Sequence, residues 1–193
     1  MDFEKRQRKI VLAITGASGS IYAYKLLGRL HELNAPVKEI AVIFSDTGRK
    51  IWESEIGSAF HNEGSAKEYE NNSYFAPFAS GSSQYDTMII CPASMGTIGR
   101  IANGTSEDLI SRTADVMLKE RRRLIIVPRE APYNLIHLSN MEKLTIAGAI
   151  ICPASPSFYS NPKTIEDLVM TVADRIIDLA GFESKGYRWM KND

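Results

Sequence analysis

The chain has 193 residues, of which 44% are hydrophobic and 24% are charged, a composition that excludes a mostly disordered protein. Its 23 basic and 23 acidic residues give a formal net charge of zero, which argues against a general binder of nucleic acids or of anionic membranes. The length predicts one domain over residues 1–193, and no apolar run approaches the roughly 18 residues of a membrane span.

The basic amino-terminal segment superficially resembles a secretion signal. Four Lys or Arg residues within positions 5–9 precede the apolar run 10–14, but this run is too short for a signal and leads directly into the turn 16–19. We therefore predict a first strand at 10–14, in a cytoplasmic protein. Cys91 and Cys152 each precede a proline after an apolar run, which favours two buried thiols in a reducing compartment over a disulfide or a metal site.

Short apolar runs alternate with helical patterns along the chain. The runs predict strands at 10–14, 40–44, 88–91, 124–127 and 149–152. Helices are predicted at 21–33, 96–102, 107–121, 134–147 and 164–180, the last capped by Thr164 and Asp167 and followed by a tail from about 181. Continuous apolar runs are typical of strands covered on both faces. The alternation therefore predicts a three-layer α/β fold, an open parallel sheet of the flavodoxin-like or Rossmann-like type with helices on both faces.

Residues 54–83 carry the weakest pattern in the chain. This stretch is polar, with Asn and Ser at 71–73 and a Ser/Gly cluster at 80–83. We expect one helix there and a long surface excursion, for which an interface or a lid are candidate roles. No linker rich in Pro, Gly or Ser divides the chain into two halves.

The candidate site lies where the predicted strands end, because open parallel sheets bind ligands outside the carboxyl ends of their strands, near the switch in strand order. The turns at these ends are 16–19, 45–46, 92–97, 128–130 and 153–159. All except 128–130 carry small or hydroxyl residues, which let backbone N–H groups and helix N-termini meet a phosphate. The pattern predicts a phosphorylated cofactor.

Neither small-residue turn identifies the cofactor by itself. The turn 15–20 lacks the G-x-G-x-x-G spacing, and Asp46 follows the second strand one place later than a ribose-binding acid, so NAD is not favoured. The turn 94–97 opens a predicted helix and suits a phosphate or a ring, but N-capping of the helix by Ser94 explains it equally well.

Charged residues at the ends of elements are also candidates. Arg129 and Glu130 follow an apolar strand in a loop stiffened by prolines, where they form either a surface pair or a phosphate clamp with an acid–base group. Arg112 and Lys119 share one helix face, which is either solvated or binds a ligand. Arg175 lies at the edge of the apolar stripe of the last helix, where it snorkels, pairs or reaches a site.

Two common kinds of catalytic centre are not predicted. His31, His61 and His137 have no second ligand at metal-binding spacing, so no metal site is expected. Ser18 lies in a turn of the phosphate-binding type and not in a G-x-S-x-G nucleophile elbow, so no Ser-His-Asp triad is expected.

Taken together and in order, these residues resemble the flavin prenyltransferases of the UbiX type, once called aromatic acid decarboxylases. The resemblance runs from Lys9 to about Trp189 and is strongest at 16–22, 114–123, 128–132 and 156–162. The Pro-x-Phe-Tyr pattern in the last of these segments is rarely seen outside that family.

The resemblance implies a homo-oligomer, up to a dodecamer, of a flavodoxin-like domain that binds FMN. Members join a dimethylallyl group, usually from dimethylallyl monophosphate, to N5 and C6 of reduced FMN without a metal. The prenylated flavin then serves a separate decarboxylase, often in ubiquinone synthesis or in aromatic acid breakdown. No nucleic acid or membrane partner is implied.

The resemblance also assigns individual residues. FMN would be held by Gly16, Ala17, Ser18, Ser45, Ser94, Met95, Gly96, Thr97 and Arg129. The donor phosphate would be held by Lys119, Arg129, Tyr159 and Arg175, with Arg112 reaching it from a neighbouring subunit. Glu130 would handle protons, and Ser18, Glu39 and Trp189 would be further catalytic groups, the last two at the edge of the site.

The sequence departs from this family at one position. Many members have Lys where this chain has Gly96.

Three competing functions stay open. The first competing function is that of the related flavin-dependent cysteine decarboxylases, which have Asn directly after the Ser of the turn and a His before the preceding strand. This chain instead has Met95 after Ser94 and no His in 80–86, which weighs against that function. The second is a nicotinamide-dependent oxidoreductase, and the third is a non-catalytic flavin-binding subunit of a decarboxylase.

Overall fold

The computed structural model describes residues 8–33, 37–62, 64–184 and 186–188. The strands within this part of the chain are β1 Arg8–Ile14, β2 Val37–Phe44, β3 Ala66–Tyr69, β4 Tyr85–Ala93, β5 Arg123–Pro128 and β6 Ile150–Ile151. The α-helices are α1 Ser20–Glu32, α2 Asp46–Ile56, α3 Met95–Ala102, α4 Leu109–Lys119, α5 Leu135–Ile146 and α6 Ile165–Leu179. A short 3-10 helix covers Pro77–Ala79.

The strands form one parallel sheet in the order β3-β2-β1-β4-β5-β6. This is the doubly wound order of Rossmann folds, in which the chain reverses its direction of travel across the sheet between β1 and β4. The predicted fold class is therefore confirmed. None of the described helices is long and apolar enough to cross a membrane.

Two hydrophobic clusters, one on each face of the sheet, explain the continuous apolar runs. Ile10, Leu12 and Ile14 of β1 belong to the cluster that also contains the buried residues of α1, α2 and α6. Val11 and Ala13 belong to the opposite cluster, with α3, α4 and α5. Side chains alternate between the two faces of a strand, so a strand covered on both faces must be apolar at every position.

The predicted cap of the last helix is confirmed. The Thr164 hydroxyl accepts a hydrogen bond from the Asp167 amide at 3.0 Å, and the Asp167 carboxylate accepts one from the Thr164 amide at 3.0 Å. This reciprocal pair satisfies two of the backbone donors that begin a helix without a partner.

The prediction for residues 54–83 was wrong in two respects. The expected helix is α2, which begins earlier, at Asp46, and the stretch contains an unpredicted edge strand, β3. β3 pairs with β2 from Ile40 opposite Ala66 to Ile43 opposite Tyr69. It has only four residues and its two central residues are charged, so it lacks the apolar run by which the other strands were recognised.

A close backbone approach at Gly48 provides a test of the packing. A Cβ at this position would lie 2.9 Å from the Ile14 carbonyl carbon and closer still to its oxygen, whereas a Cβ at Gly28 in α1 would meet nothing within 4 Å. We expect Gly48→Ala to lower the free energy of unfolding by about 1–3 kcal/mol, the usual cost of overpacking. Gly28→Ala, the matched control, should raise it by up to about 1 kcal/mol, because Ala favours a helix over Gly. Urea unfolding of both variants measures this, and equal stabilities would contradict it.

Candidate functional site

A buried threonine joins the turns that follow β1 and β4. The Thr15 hydroxyl donates a hydrogen bond to the Pro92 carbonyl at 2.9 Å and accepts one from the Ser94 amide at 2.8 Å. These two strands flank the point where the strand order reverses. The structure therefore brings the predicted turns 16–19 and 92–97 together at the edge where open parallel sheets bind ligands.

The turn after β2 packs against the same place. The Ser45 amide donates to the Ile14 carbonyl at 3.0 Å, and the Ser45 hydroxyl caps α2 by accepting from the Gly48 amide at 3.0 Å. A Cβ at Gly16 would lie 2.9 Å from the side chain of Thr47, so only glycine allows this approach. The third predicted small-residue turn thus lies beside the first.

Ser94 caps α3, as the simpler interpretation of this turn expected. Its hydroxyl accepts from the Thr97 amide at 3.4 Å and lies 3.1 Å from the Thr97 hydroxyl. Gly96 is exposed in the first turn of the helix, while Thr97 is buried. The cap uses the Thr97 amide and leaves those of Met95 and Gly96 to face a ligand, so both interpretations fit the structure.

Arg129 connects β5 to the β1 turn. Its Nε donates to the Ser18 carbonyl oxygen at 2.8 Å, and its side chain lies against Gly19. The next residue, Glu130, is exposed, and its carboxylate accepts a hydrogen bond from the Ala131 amide at 3.0 Å. The arginine predicted to bind a phosphate and the acid predicted to handle protons therefore both lie at the carboxyl edge of the sheet.

The sequence analysis missed Glu55, which lies in the last turn of α2. Its carboxylate accepts hydrogen bonds from the Gly19 amide at 2.9 Å and from the Ser20 amide at 2.7 Å. A carboxylate at this position is stabilised by the positive end of α1. The local sequence contains no signal for this contact, because it joins residues 35 and 36 positions apart.

The surroundings of Glu55 favour its ionised form. Partial burial acts to raise the pKa of this carboxyl, but hydrogen bonds from the Ser18 side chain and the Gly19 and Ser20 amides together outweigh it, so the pKa lies below its ordinary value of 4.5. Glu55 is thus an anion beside the predicted catalytic residue Ser18.

A cavity of about 1010 Å³ lies next to this edge, between the segment after β6 and the face of α6. Arg175, Tyr159 and Cys152 line it, together with residues of the C-terminal tail such as Arg188. Arg175 is exposed towards this space. Burial raises the pKa of the Cys152 thiol despite the opposing effect of the Arg175 charge, so the thiol stays protonated.

The structure does not bring two of the predicted residues to this edge within one chain. Glu39 lies near the amino end of β2, where its carboxylate pairs with Lys9 at 2.8 Å and accepts from the Tyr85 hydroxyl at 2.6 Å. The six residues from there to Ser45 span about 20 Å of strand. Lys119 ends α4 just before β5 starts, and is therefore also near the amino edge.

Arg112 and Trp189 are the remaining residues that were predicted to belong to the site. Arg112 donates to the Ala79 carbonyl at 3.2 Å and lies 3.7 Å from the Asp115 carboxylate, so within one chain it supports the 3-10 segment. Trp189 lies outside the described residues.

No group of three or more His, Cys, Asp or Glu side chains within the described part of the chain is arranged to hold a metal ion.

Comparisons with known proteins agree with this geometry. The Flavoprotein family model matches residues 2–177. A flavin prenyltransferase UbiX from Methanocaldococcus jannaschii is 43% identical over 184 residues, which cover 94% of this chain and 98% of that protein. This chain belongs to the flavin prenyltransferase family. The family predicted from the sequence is therefore confirmed.

Solved structures of similar proteins extend the likeness to three dimensions. AnUbiX (PadA1) in complex with FMN and dimethylallyl pyrophosphate is 40% identical with a TM-score of 0.88, over 97% of this chain and 100% of that one. A dodecameric FMN-dependent Ubix-like decarboxylase from Escherichia coli O157:H7 is 34% identical with a TM-score of 0.86, over 94% and 99% of the two chains. The peptidyl-cysteine decarboxylase EpiD is 17% identical with a TM-score of 0.60, which shows a shared fold alone.

The contacts of Glu55 predict a pH dependence of stability in this family member. Because the pKa is lower in the folded state, the carboxylate stabilises the fold above pH 4.5 and loses this effect as the pH falls through the folded-state value. Glu55→Gln should therefore destabilise the protein more at about pH 7 than at about pH 3. Glu53→Gln on the same helix is the matched control, since no described hydrogen bond joins its carboxylate to the α1 turn. Urea unfolding at the two pH values measures this, and an equal effect of Glu55→Gln at both would contradict it.

Proposed function

We propose that this chain is a flavin prenyltransferase that joins the dimethylallyl group of dimethylallyl monophosphate to N5 and C6 of reduced FMN. The observation that carries the proposal is that one loop borders both candidate sites. Arg129 donates to the Ser18 carbonyl on the flavin side, and the Pro128 carbonyl accepts from the Ala154 amide at 3.0 Å, next to Pro153 and Ser155, which line the cavity that contains Arg175. An acceptor and a donor bound on the two sides of this loop would be neighbours.

The residues at the strand ends fit a phosphorylated flavin. Glycine at position 16 allows close backbone approach, and the Ser18 side chain is exposed. We assign FMN binding to the predicted set Gly16, Ala17, Ser18, Ser45, Ser94, Met95, Gly96, Thr97 and Arg129. Reduced FMN supplies the electron-rich N5 and C6 atoms that accept the allyl group.

We assign the donor phosphate to Arg175 and Tyr159 in the cavity, together with Arg129 after β5. When the donor's C–O bond breaks, the electron pair leaves with the phosphate, and positioned cations stabilise the charge that develops on it. Arg175 has no ion-pair partner among the described residues, so its guanidinium is available for this role. Two charge-assisted hydrogen bonds from one guanidinium are the geometry that phosphate favours.

We assign proton transfer to Glu130. The first bond displaces the N5 proton. The second bond requires a proton on the middle carbon of the allyl C=C bond and displaces the C6 proton, so a carboxylate in the loop between both sites is placed to accept a proton and to return one to the donor. Glu130 is exposed and its carboxylate contacts only the amide of its own loop among the described hydrogen bonds, so it is free to turn towards a ligand.

We propose that the site is completed by a second copy of the chain. Large apolar side chains are exposed on and around α5, among them Leu135 at 77% and Ile146 at 80%. Patches of this kind mark interfaces. In such a homo-oligomer, of which a dodecamer is one form, Lys119, Glu39 and Arg112 of one copy would approach the cavity of another. We further propose that the product passes to a separate decarboxylase, while the cytoplasmic location stays a prediction.

The decisive experiment is anaerobic incubation of the protein with reduced FMN and dimethylallyl monophosphate, followed by mass spectrometry of the extracted flavin. We expect a flavin heavier by one prenyl group, and none when the donor is omitted. A parallel reaction with the diphosphate separates the two donor types. Unmodified flavin with both donors, from protein that binds FMN, would overturn the proposal.

Removal of the Arg175 guanidinium should affect the donor and not the flavin. A hydrogen bond to a charged group contributes about 1.5–3 kcal/mol, so Arg175→Ala should lower kcat/KM for the donor by about 10- to 100-fold. FMN affinity, measured by fluorescence quenching, should change little. An equal loss of both in a folded variant would contradict the assignment.

Replacement of the Glu130 carboxylate should slow the chemical step. Glu130→Gln keeps the shape of the side chain but removes the base, so we expect product formation to slow by about 10²-fold or more with FMN and donor still bound. Glu142→Gln, which removes an exposed carboxylate of α5, is the matched control. Stopped-flow turnover at saturating donor measures the effect, and a rate within about threefold of the parent would show that Glu130 is not the base.

A further inference from the structure

Arg100 reaches the first turn of its own helix, α3, with its guanidinium. It lies in the second half of the helix, but its guanidinium is folded back towards the helix N-terminus, where Nη2 donates to the Thr97 hydroxyl at 3.2 Å. Nη1 lies 3.7 Å from the position that a Cβ at Gly96 would occupy, and is the only atom within 4 Å of it outside the helix backbone and neighbouring residues. The absence of a side chain at position 96 therefore leaves the space beside the first turn to the guanidinium.

This position is electrostatically unfavourable for a cation by itself. The N-terminus of a helix carries a partial positive charge, so Arg and Lys are stabilised at the opposite end. Several other arginines are neutralised by carboxylates, as in the pairs Arg29–Asp174 at 3.0 Å and Arg188–Asp178 at 2.7 Å. Arg100 has no such partner within residues 8–33, 37–62, 64–184 and 186–188. Two positive features thus converge on one place, at the edge of the sheet assigned to the flavin.

We propose that Arg100 binds the phosphate of FMN and sets the preference of this chain for FMN over the unphosphorylated flavin. The inference rests on the proposed function, since it concerns the flavin site described above. The guanidinium, the Met95 and Gly96 amides of the first turn of α3 and the hydroxyl of Ser94 together form a cradle for a dianion. A phosphate there removes the repulsion between the guanidinium and the helix, and gains charge-assisted hydrogen bonds.

A purely structural role for Arg100 predicts a different result. The hydrogen bond to Thr97 would then only stabilise the first turn of α3, and its loss would weaken every flavin equally. Riboflavin separates the two roles, because it shares the ring and the ribityl chain with FMN and lacks the phosphate.

The experiment measures dissociation constants for FMN and for riboflavin by fluorescence quenching, with the parent, Arg100→Ala and Arg100→Lys. We expect Arg100→Ala to weaken FMN binding by about 10- to 100-fold, the scale of a hydrogen bond to a charged group, and to leave riboflavin binding within about twofold. Arg100→Lys should retain part of the preference and increase its salt dependence, because a lysine acts as a point charge.

Two further variants sharpen the test. Lys143→Ala is the matched control, since Lys143 donates to Asn103 at the other end of α3 and its removal changes the net charge equally. Gly96→Lys in the Arg100→Ala background should recover part of the FMN preference, because it returns a cation to the same turn.

The outcomes separate this inference from the proposed function. A parent that binds FMN no more tightly than riboflavin has no phosphate site, which overturns both. A parent that prefers FMN, with the preference kept in Arg100→Ala, overturns the role of Arg100 alone. Equal weakening of FMN and riboflavin in Arg100→Ala assigns the residue a structural role and also overturns the inference.

Discussion

The buried hydroxyl of Thr15 holds together the two turns on which the candidate site is built. Only 1% of this residue is exposed, and its hydroxyl both donates to the Pro92 carbonyl and accepts from the Ser94 amide. An unpaired polar group at this depth would cost free energy, so the bonds constrain the ends of β1 and β4 to one arrangement. Because the strand order reverses between these strands, the flavin crevice of our proposal lies where this constraint acts.

The contacts of Glu55 change the interpretation of the turn that follows β1. The small residues at 16–19 suggested a phosphate at the N-terminus of α1, but the Gly19 and Ser20 amides already bind the Glu55 carboxylate. The positive end of that helix is thus neutralised by the protein itself. In our proposal, the phosphate is therefore bound by the turns that follow β2 and β4 and by arginine side chains.

The basic residues assigned to the donor phosphate lie at both edges of the sheet within one chain. Arg175 lines the cavity and Arg129 follows β5 at the carboxyl edge, whereas Lys119 lies near the amino edge at the end of α4. A helix that connects parallel strands runs back across the sheet, so its two ends must lie at opposite edges. The exposed apolar side chains of α5 offer the means to bring a second copy close. In our proposal, assembly and catalysis therefore depend on the same surface.

The amino-acid sequence by itself determined five of the six strands, the covering helices other than α2, and the cap at Thr164, because an apolar run or a capping pair is recorded in neighbouring residues. The ends of the predicted strands also identified the turns that meet at the carboxyl edge, and the resemblance to a family assigned roles to their residues. Only the tertiary structure showed that β3 extends the sheet, that Glu55 reaches α1 and that Glu39 lies at the far end of its strand. Such contacts join residues distant in the chain, and the packing of whole elements decides them.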